Sequence, residues 1–273
     1  MLDKKLLFLL FILFIIVISA IFAPLIAPHS PYTVDLANKF APISMEHLLG
    51  TDHLGRDILS RLIYGTRMTL ITVLVTILLV LILSIIIGSI AGFQGGIVDN
   101  ILMRICDVFL TFPTFILALF FIGVLGVGLL NVIIAIALTH WAWYARIVRS
   151  IVLEVKEKNY VTASSCLGSS KIKIIKDHIM PLVLSQVVIL ATLDLGHMML
   201  HVAGLSFLGL GVQAPTAEWG VMINDAAPYI REHPELIIYP GLCIFTAVAV
   251  LNSLGEKVRD IYNNKANEIN NNE

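Results

Sequence analysis

The amino-acid sequence predicts an all-α, polytopic membrane protein with six transmembrane helices, and two observations carry that expectation. Of 273 residues, 58% are hydrophobic and 14% charged, too apolar a mixture to be hidden in one soluble core. The apolar residues are also gathered into six runs of roughly 20, the length that crosses a hydrocarbon layer of about 30 Å. A net charge of -1 offers no bulk attraction for nucleic acid. Cys106, Cys166 and Cys243 show no Cys-x-x-Cys spacing and lie in or beside apolar runs, which reads as packing rather than a disulfide framework or a zinc site.

Lys4 and Lys5 precede the first run, 6–26, which Pro24 and Pro28 close. A cleavable signal has a shorter apolar region and a small-residue cleavage site, so a retained span is expected. A long loop follows, 28–67, with Pro28, Pro31 and Pro42 and a helical-looking end at 57–67. Within it Asp52, His53, Arg56 and Asp57 suit either an entrance facing a docking protein or a salt-bridged turn. The next runs are 68–91, 105–125, 130–148, 182–205 and 236–254. Gly88 with Gly92, and Gly123 with Gly126, have the spacing for close helix approach in lipid. Trp141, Trp143 and Tyr144 read as interfacial anchors, and Arg104 and Asp107, one turn apart, as a neutralising pair.

Six spans leave both termini on one side. Arg146, Arg149, Lys156, Lys158, Lys171, Lys173 and Lys176 crowd residues 146–178, whereas 206–235 holds only Arg231, so the termini and the 149–181 loop are expected in the cytoplasm. Arg56, Arg61 and Arg67 run against that rule in a loop long enough to obey it poorly. The last outer loop, 206–235, offers Glu218, Trp219 and Asp225 to water or a docking protein. The chain thus divides into an anchor and outer loop (1–67), a five-helix core (68–256) and an Asn-rich tail (257–273) expected to be disordered.

The segment 160–181 predicts two short helices. Small residues 162–165 form the first, Gly168 ends it, Ser169 or Ser170 caps a basic second helix with apolar Ile172, Ile175 and Ile179, and Pro181 marks the return to the membrane. Such a pair needs a partner groove. With Tyr160, Ala163, Gly168, His178 and Pro181 at its landmark positions, the segment resembles the ATPase-coupling loop of bacterial ABC importer permeases. Thr162 stands where many members have Glu, a departure common in the peptide and nickel branch.

The resemblance extends along most of the chain. His47-Leu-Leu-Gly-Thr-Asp-His-Leu-Gly-Arg-Asp57, Thr111-Phe-Pro113, Ser206-Phe-Leu-Gly-Leu-Gly211 and Glu218-Trp-Gly220 are similar to the dipeptide, oligopeptide and nickel permease family. It implies a type I ABC importer permease fold in the bacterial cytoplasmic (inner) membrane. It also implies alternating access, a second related permease, two ATP-binding subunits that use ATP and Mg, and an extracytoplasmic solute-binding protein. No cofactor is expected on this chain, and no G-x-x-x-x-G-K-[ST] occurs to cradle ATP. An enzyme is not expected either, since Ser206 lies in Gly204-Leu-Ser-Phe-Leu-Gly209 and misses the G-x-S-x-G spacing.

His140-Trp-Ala-Trp-Tyr-Ala-Arg146 and Asp194-Leu-Gly-His-Met-Met-Leu-His201 resemble nickel-import permeases in particular. Physical chemistry reaches the second segment unaided. Asp194 falls mid-span, and spacings of three and seven put Asp194, His197 and His201 on one helical face. An ionised Asp at that depth costs about 2.5 to 3.5 kcal/mol on insertion scales, so it needs a partner or a wet path. Imidazole suits Ni, Cu and Zn, carboxylate adds negative charge, and Met198 and Met199 offer soft thioethers. These residues, with His140, suit either a substrate path of transient contacts without a tightly held metal, or an interhelical hydrogen-bond network that locks packing. The cargo expected is nickel, a nickel-like divalent metal or its chelate; the alternative is a peptide.

Overall fold

The computed structural model describes residues 4–270. Among them no β-strand forms, and Thr51 and Asp57 make an isolated bridge. Helix α1 (Lys4–Ile21) and the short α2 (Ala23–Ile26) lead into the first loop. Helix α3 (Ile58–Gln94) starts at Asp57, whose side chain accepts from the Ser60 N–H. The helical-looking end of the loop, 57–67, is therefore the first three turns of the second span.

The expected third span, 105–125, is instead broken. Helices α4 (Gly96–Thr111) and α5 (Thr114–Leu125) meet at a bend of 95°. Pro113 lacks an N–H and crowds the residue before it, and Phe112 is accordingly extended at φ -92°, ψ 142°. The pair still passes from one end of the bundle to the other. Asp99 of α4 forms a bidentate pair with Arg149 near the end of α6 (Leu129–Lys156), while Gly128, just beyond α5, donates its N–H to Leu210 O at the opposite end. Counted as one span, this bent pair brings the helices long and apolar enough to cross a membrane to six among the described residues. Asp107 is paired with Arg146 of α6 rather than with Arg104, because α4 packs antiparallel along α6.

A 28-residue helix, α9 (Met180–Phe207), rises about 40 Å and separates two ends. The basic end carries α7 (Asn159–Cys166), α8 (Lys171–Ile174) and a π-helical turn (Ile175–Ile179). The loop end carries residues 27–57 and 208–234 with α10 (Trp219–Ala226). Helix α11 (Glu235–Asn270) closes the bundle. It continues through the segment expected to be disordered, since no Gly or Pro follows Gly255 to stop it; residues 271–273 lie outside the described residues.

Close approach of α3 and α6 rests on the first glycine pair. A Cβ on Gly88 would sit 2.5 Å from Ala145 O, and one on Gly92 2.8 Å from Val152 Cβ. The second pair does no such work: Gly123 has nothing within 4 Å, and Gly126 ends α5 at φ +89°. Of the cysteines, Cys106 is buried as expected for packing and Cys243 half-buried, whereas Cys166 is exposed at the end of α7.

At the loop end charges are internal. The buried Arg56 guanidinium meets Asp52 at 2.6 Å and Asp225 at 3.2 Å, and the buried Arg61 lies 3.5 and 3.6 Å from the same carboxylates. Asp52 and Arg56 thus form a salt-bridged turn that Asp225 ties to α10, whereas Asp57 meets His47 and His53 stacks on Tyr229. Glu218 and Trp219, expected to be accessible, are buried. Glu218 caps α10 through Val221 N–H at 3.0 Å and accepts from Thr69 Oγ1 at 2.9 Å. Burial pushes its carboxyl above the usual range despite those donors.

Candidate substrate path and coupling segment

At the basic end, α7 stops where Gly168 turns to φ +84°, and Ser170 Oγ caps α8 by accepting from Lys173 N–H at 3.3 Å. His178 Nε2 lies 3.2 Å from Ser164 Oγ and its ring packs edge-on to Tyr160, so these three residues brace α7 against the π turn that follows α8. Ala163 O accepts the Leu167 N–H that closes α7. Pro181 sits in the first turn of α9, and the π turn before it absorbs its missing N–H. The segment therefore runs into the span as one continuous helix, Lys171–Phe207. Val161, Ile174 and Ile179 are buried against Val148, Val152 and Val155 of α6. Ile172, expected on that face, is 79% exposed, and Leu167 is 88% exposed. Two apolar side chains are thus presented away from the bundle.

The second region lies halfway along α9. Asp194 Oδ2 accepts the Tyr144 hydroxyl at 2.9 Å, and Asp194 Oδ1 stands 3.5 Å from His197 Nδ1. His201 and His140 rings meet edge to face at 4.8 Å, with Phe115 at 6.1 Å from His201. His140 Nδ1 is 3.0 Å from Ile136 O; a carbonyl only accepts, so Nδ1 carries the hydrogen and Nε2 keeps its lone pair. The Asp194 side chain is 22% and that of His197 68% exposed. Met198 does not join them: it is fully buried in the core beside Met199. At 100° per residue, 197 turns about 60° from 194 toward the open side and 198 about 40° toward the bundle.

Tyr144 is the residue that sequence reasoning missed. It is buried, as is Trp141, and only Trp143 has the exposure of an interfacial side chain. Its signal was the spacing of four from His140, which places both on the α6 face turned toward α9.

Residues 84–267 match the family described as binding-protein-dependent transport system inner membrane component, and residues 4–42 match the N-terminal TM domain of oligopeptide transport permease C. The chain belongs to the binding-protein-dependent inner membrane components. This inner-membrane component is a multi-pass protein. It is 51% identical over 233 residues to the nickel transport system permease protein NikC of Escherichia coli (strain K12), covering 85% of this chain and 84% of that relative. It is 48% identical over 237 residues to the metal-staphylopine import system permease protein CntC of Staphylococcus aureus (strain Mu50 / ATCC 700699), covering 87% and 82%. A chain of the inward-facing MetNI methionine ABC transporter superposes with a TM-score of 0.60 at 20% identity, over 75% of this component and 97% of that chain. The component therefore has the type I ABC importer permease fold.

Proposed function

We propose that this chain is the permease subunit of an ATP-driven importer that moves nickel, or a nickel-like divalent metal or its chelate, along the Asp194, His197 and His201 face of α9. The observation that carries the reading is an exposed imidazole beside a part-exposed carboxylate at the middle of an apolar helix. Lipid satisfies neither group, so that face turns to a water-filled path or to a second permease. Imidazole and carboxylate together suit borderline divalent ions, and the nickel and metal-staphylopine cargoes named for NikC and CntC support the same class. His140, through its free Nε2, and Tyr144, through Asp194, belong to this path.

The importer is completed by a second related permease, two separate ATP-binding subunits that use ATP and Mg, and an extracytoplasmic solute-binding protein. The concentration of Lys and Arg at the basic end supports a cytoplasmic location for that end and for both termini. Leu167 and Ile172 are the apolar knobs that an ATPase groove would receive, with Tyr160, Ala163, Gly168, His178 and Pro181 shaping the segment that presents them.

The test is nickel uptake by cells making the whole transporter, comparing wild type with an Asp194→Ala, His197→Ala, His201→Ala variant whose abundance and assembly are normal. Loss of uptake supports the path. Peptide uptake by a wild type that takes up no nickel moves the reading to a peptide permease, which the match to the oligopeptide permease N-terminal domain favours. In a packing lock, His197→Ala alone would leave uptake intact, because that side chain packs little.

A further inference from the structure

A second donor cluster lies at the loop end, remote from the α9 face. A ring nitrogen of His29, a ring nitrogen of His47 and a carboxylate oxygen of Asp57 all lie within 4.8 Å of one another. His47 Nδ1 is 2.9 Å and His29 Nδ1 3.8 Å from the same Asp57 Oδ1, and the two rings face each other at 4.8 Å.

The neighbours fix these donors in place. Asp57 Oδ2 is occupied by Ser60 N–H at 2.8 Å and Ser60 Oγ at 2.7 Å, which aims Oδ1 at the histidines. His29 is anchored by its own N–H to Ser60 Oγ at 3.0 Å. His47 sits in a turn in which Ser44 and His47 exchange hydrogen bonds of 2.9 Å. One polar atom is left over: His29 Nδ1 is buried and has no hydrogen-bond partner. An orphaned imidazole nitrogen facing a carboxylate already bonded to another imidazole is costly unless something joins all three.

We infer that His29, His47 and Asp57 bind a divalent transition-metal ion at the loop end, through two imidazole nitrogens and one carboxylate oxygen with the remaining positions open to water or to a metal's own chelator. Bonds of about 2.0–2.2 Å require donor separations of roughly 3.2–3.6 Å, so the His47 and Asp57 atoms part slightly and His29 moves inward by under an ångström or two. Two imidazoles and one carboxylate select ions such as Ni, Cu or Zn over Mg or Ca. Asp57 is 1% and the His29 side chain 37% exposed, so the cluster lies just beneath the surface of the loop end. Binding releases to solvent the hydrogen that lies between His47 Nδ1 and Asp57 Oδ1. The site depends only on its own donors and holds whether the transported cargo is a metal or a peptide.

The experiment is a titration of the assembled, purified transporter in nanodiscs with Co(II), read by its visible absorption, and with Ni(II), read by equilibrium dialysis. Wild type should bind one equivalent that the Asp194→Ala, His197→Ala, His201→Ala variant retains. His29→Gln keeps the backbone bond to Ser60 and should weaken binding by more than the 10- to 100-fold typical of losing an outer-shell partner. His29→Cys should keep the site and add a thiolate-to-cobalt charge-transfer band absent from wild type, which retains Cys106, Cys166 and Cys243. Unchanged affinity in His29→Gln, no such band in His29→Cys, or no metal bound by wild type at this end overturns the inference.

Discussion

The bond between Tyr144 and Asp194 is the most direct lever on the α9 face. Tyr144→Phe deletes one hydroxyl, keeps the buried ring and leaves no cavity, so its effect isolates the 2.9 Å bond. In water-soluble proteins a hydrogen bond to a charged group contributes about 1.5–3 kcal/mol. Within membranes, measured couplings average about 0.6 and reach about 1.7 kcal/mol, because the unfolded state in lipid also finds partners. Asp194 is a carboxyl with good geometry and a second neighbour in His197, so the upper part of that membrane range, about 1 to 1.7 kcal/mol, is expected. The assay is a double-mutant cycle of Tyr144→Phe and Asp194→Asn, with stability read by detergent-induced unfolding and nickel uptake followed in parallel. Additivity within about 0.3–0.5 kcal/mol, the range for independent sites, would refute the direct bond. Full coupling in stability with undisturbed uptake would assign the bond to packing and take Tyr144 out of the path.

Gly88→Ala places a methyl 2.5 Å from a backbone carbonyl and 2.7 Å from Val148 Cβ, so a loss of about 1–3 kcal/mol is expected in melting of the purified protein, while Gly123→Ala should not destabilise it. Gly168→Ala puts a side chain at φ +84° at a local cost of about 1–2 kcal/mol; insertion should persist and uptake fall, as measured by membrane abundance against transport. Glu218 has a folded pKa raised above 4.5, so the stability of its neutral buried form is fully present below 4.5 and is lost as pH rises through the raised value. Glu218→Gln, which stays neutral and keeps an acceptor oxygen, should flatten that decline in a melting series across pH.

The sequence by itself determined that this is a helical membrane protein, where most of its spans lie and where it bends at the basic end. Those features depend on local composition: apolar length, Gly168 as a left-handed stop, Ser170 as a cap. The stripe of Asp194, His197 and His201 was legible for the same reason, since helical period alone sets it. Tertiary structure alone decided what these groups face. Met198 lies only about 40° from Asp194 around the helix yet is sealed in the core, because the packing of α9 on its neighbours sets which side of the stripe is closed. Tyr144 looked like an anchor for the interface until the fold brought it to a residue 50 positions away. The run 105–125 read as one unbroken span, whereas α4 and α5 meet at Pro113 in a 95° bend and each packs on α6. The buried Arg56, Arg61, Asp52 and Asp225 network joins loops far apart in the chain, and the meeting of His29 with His47 and Asp57 folds one long loop back on itself. Periodicity reports one helix at a time, whereas these sites arise from contacts between elements whose approach only the packed bundle defines.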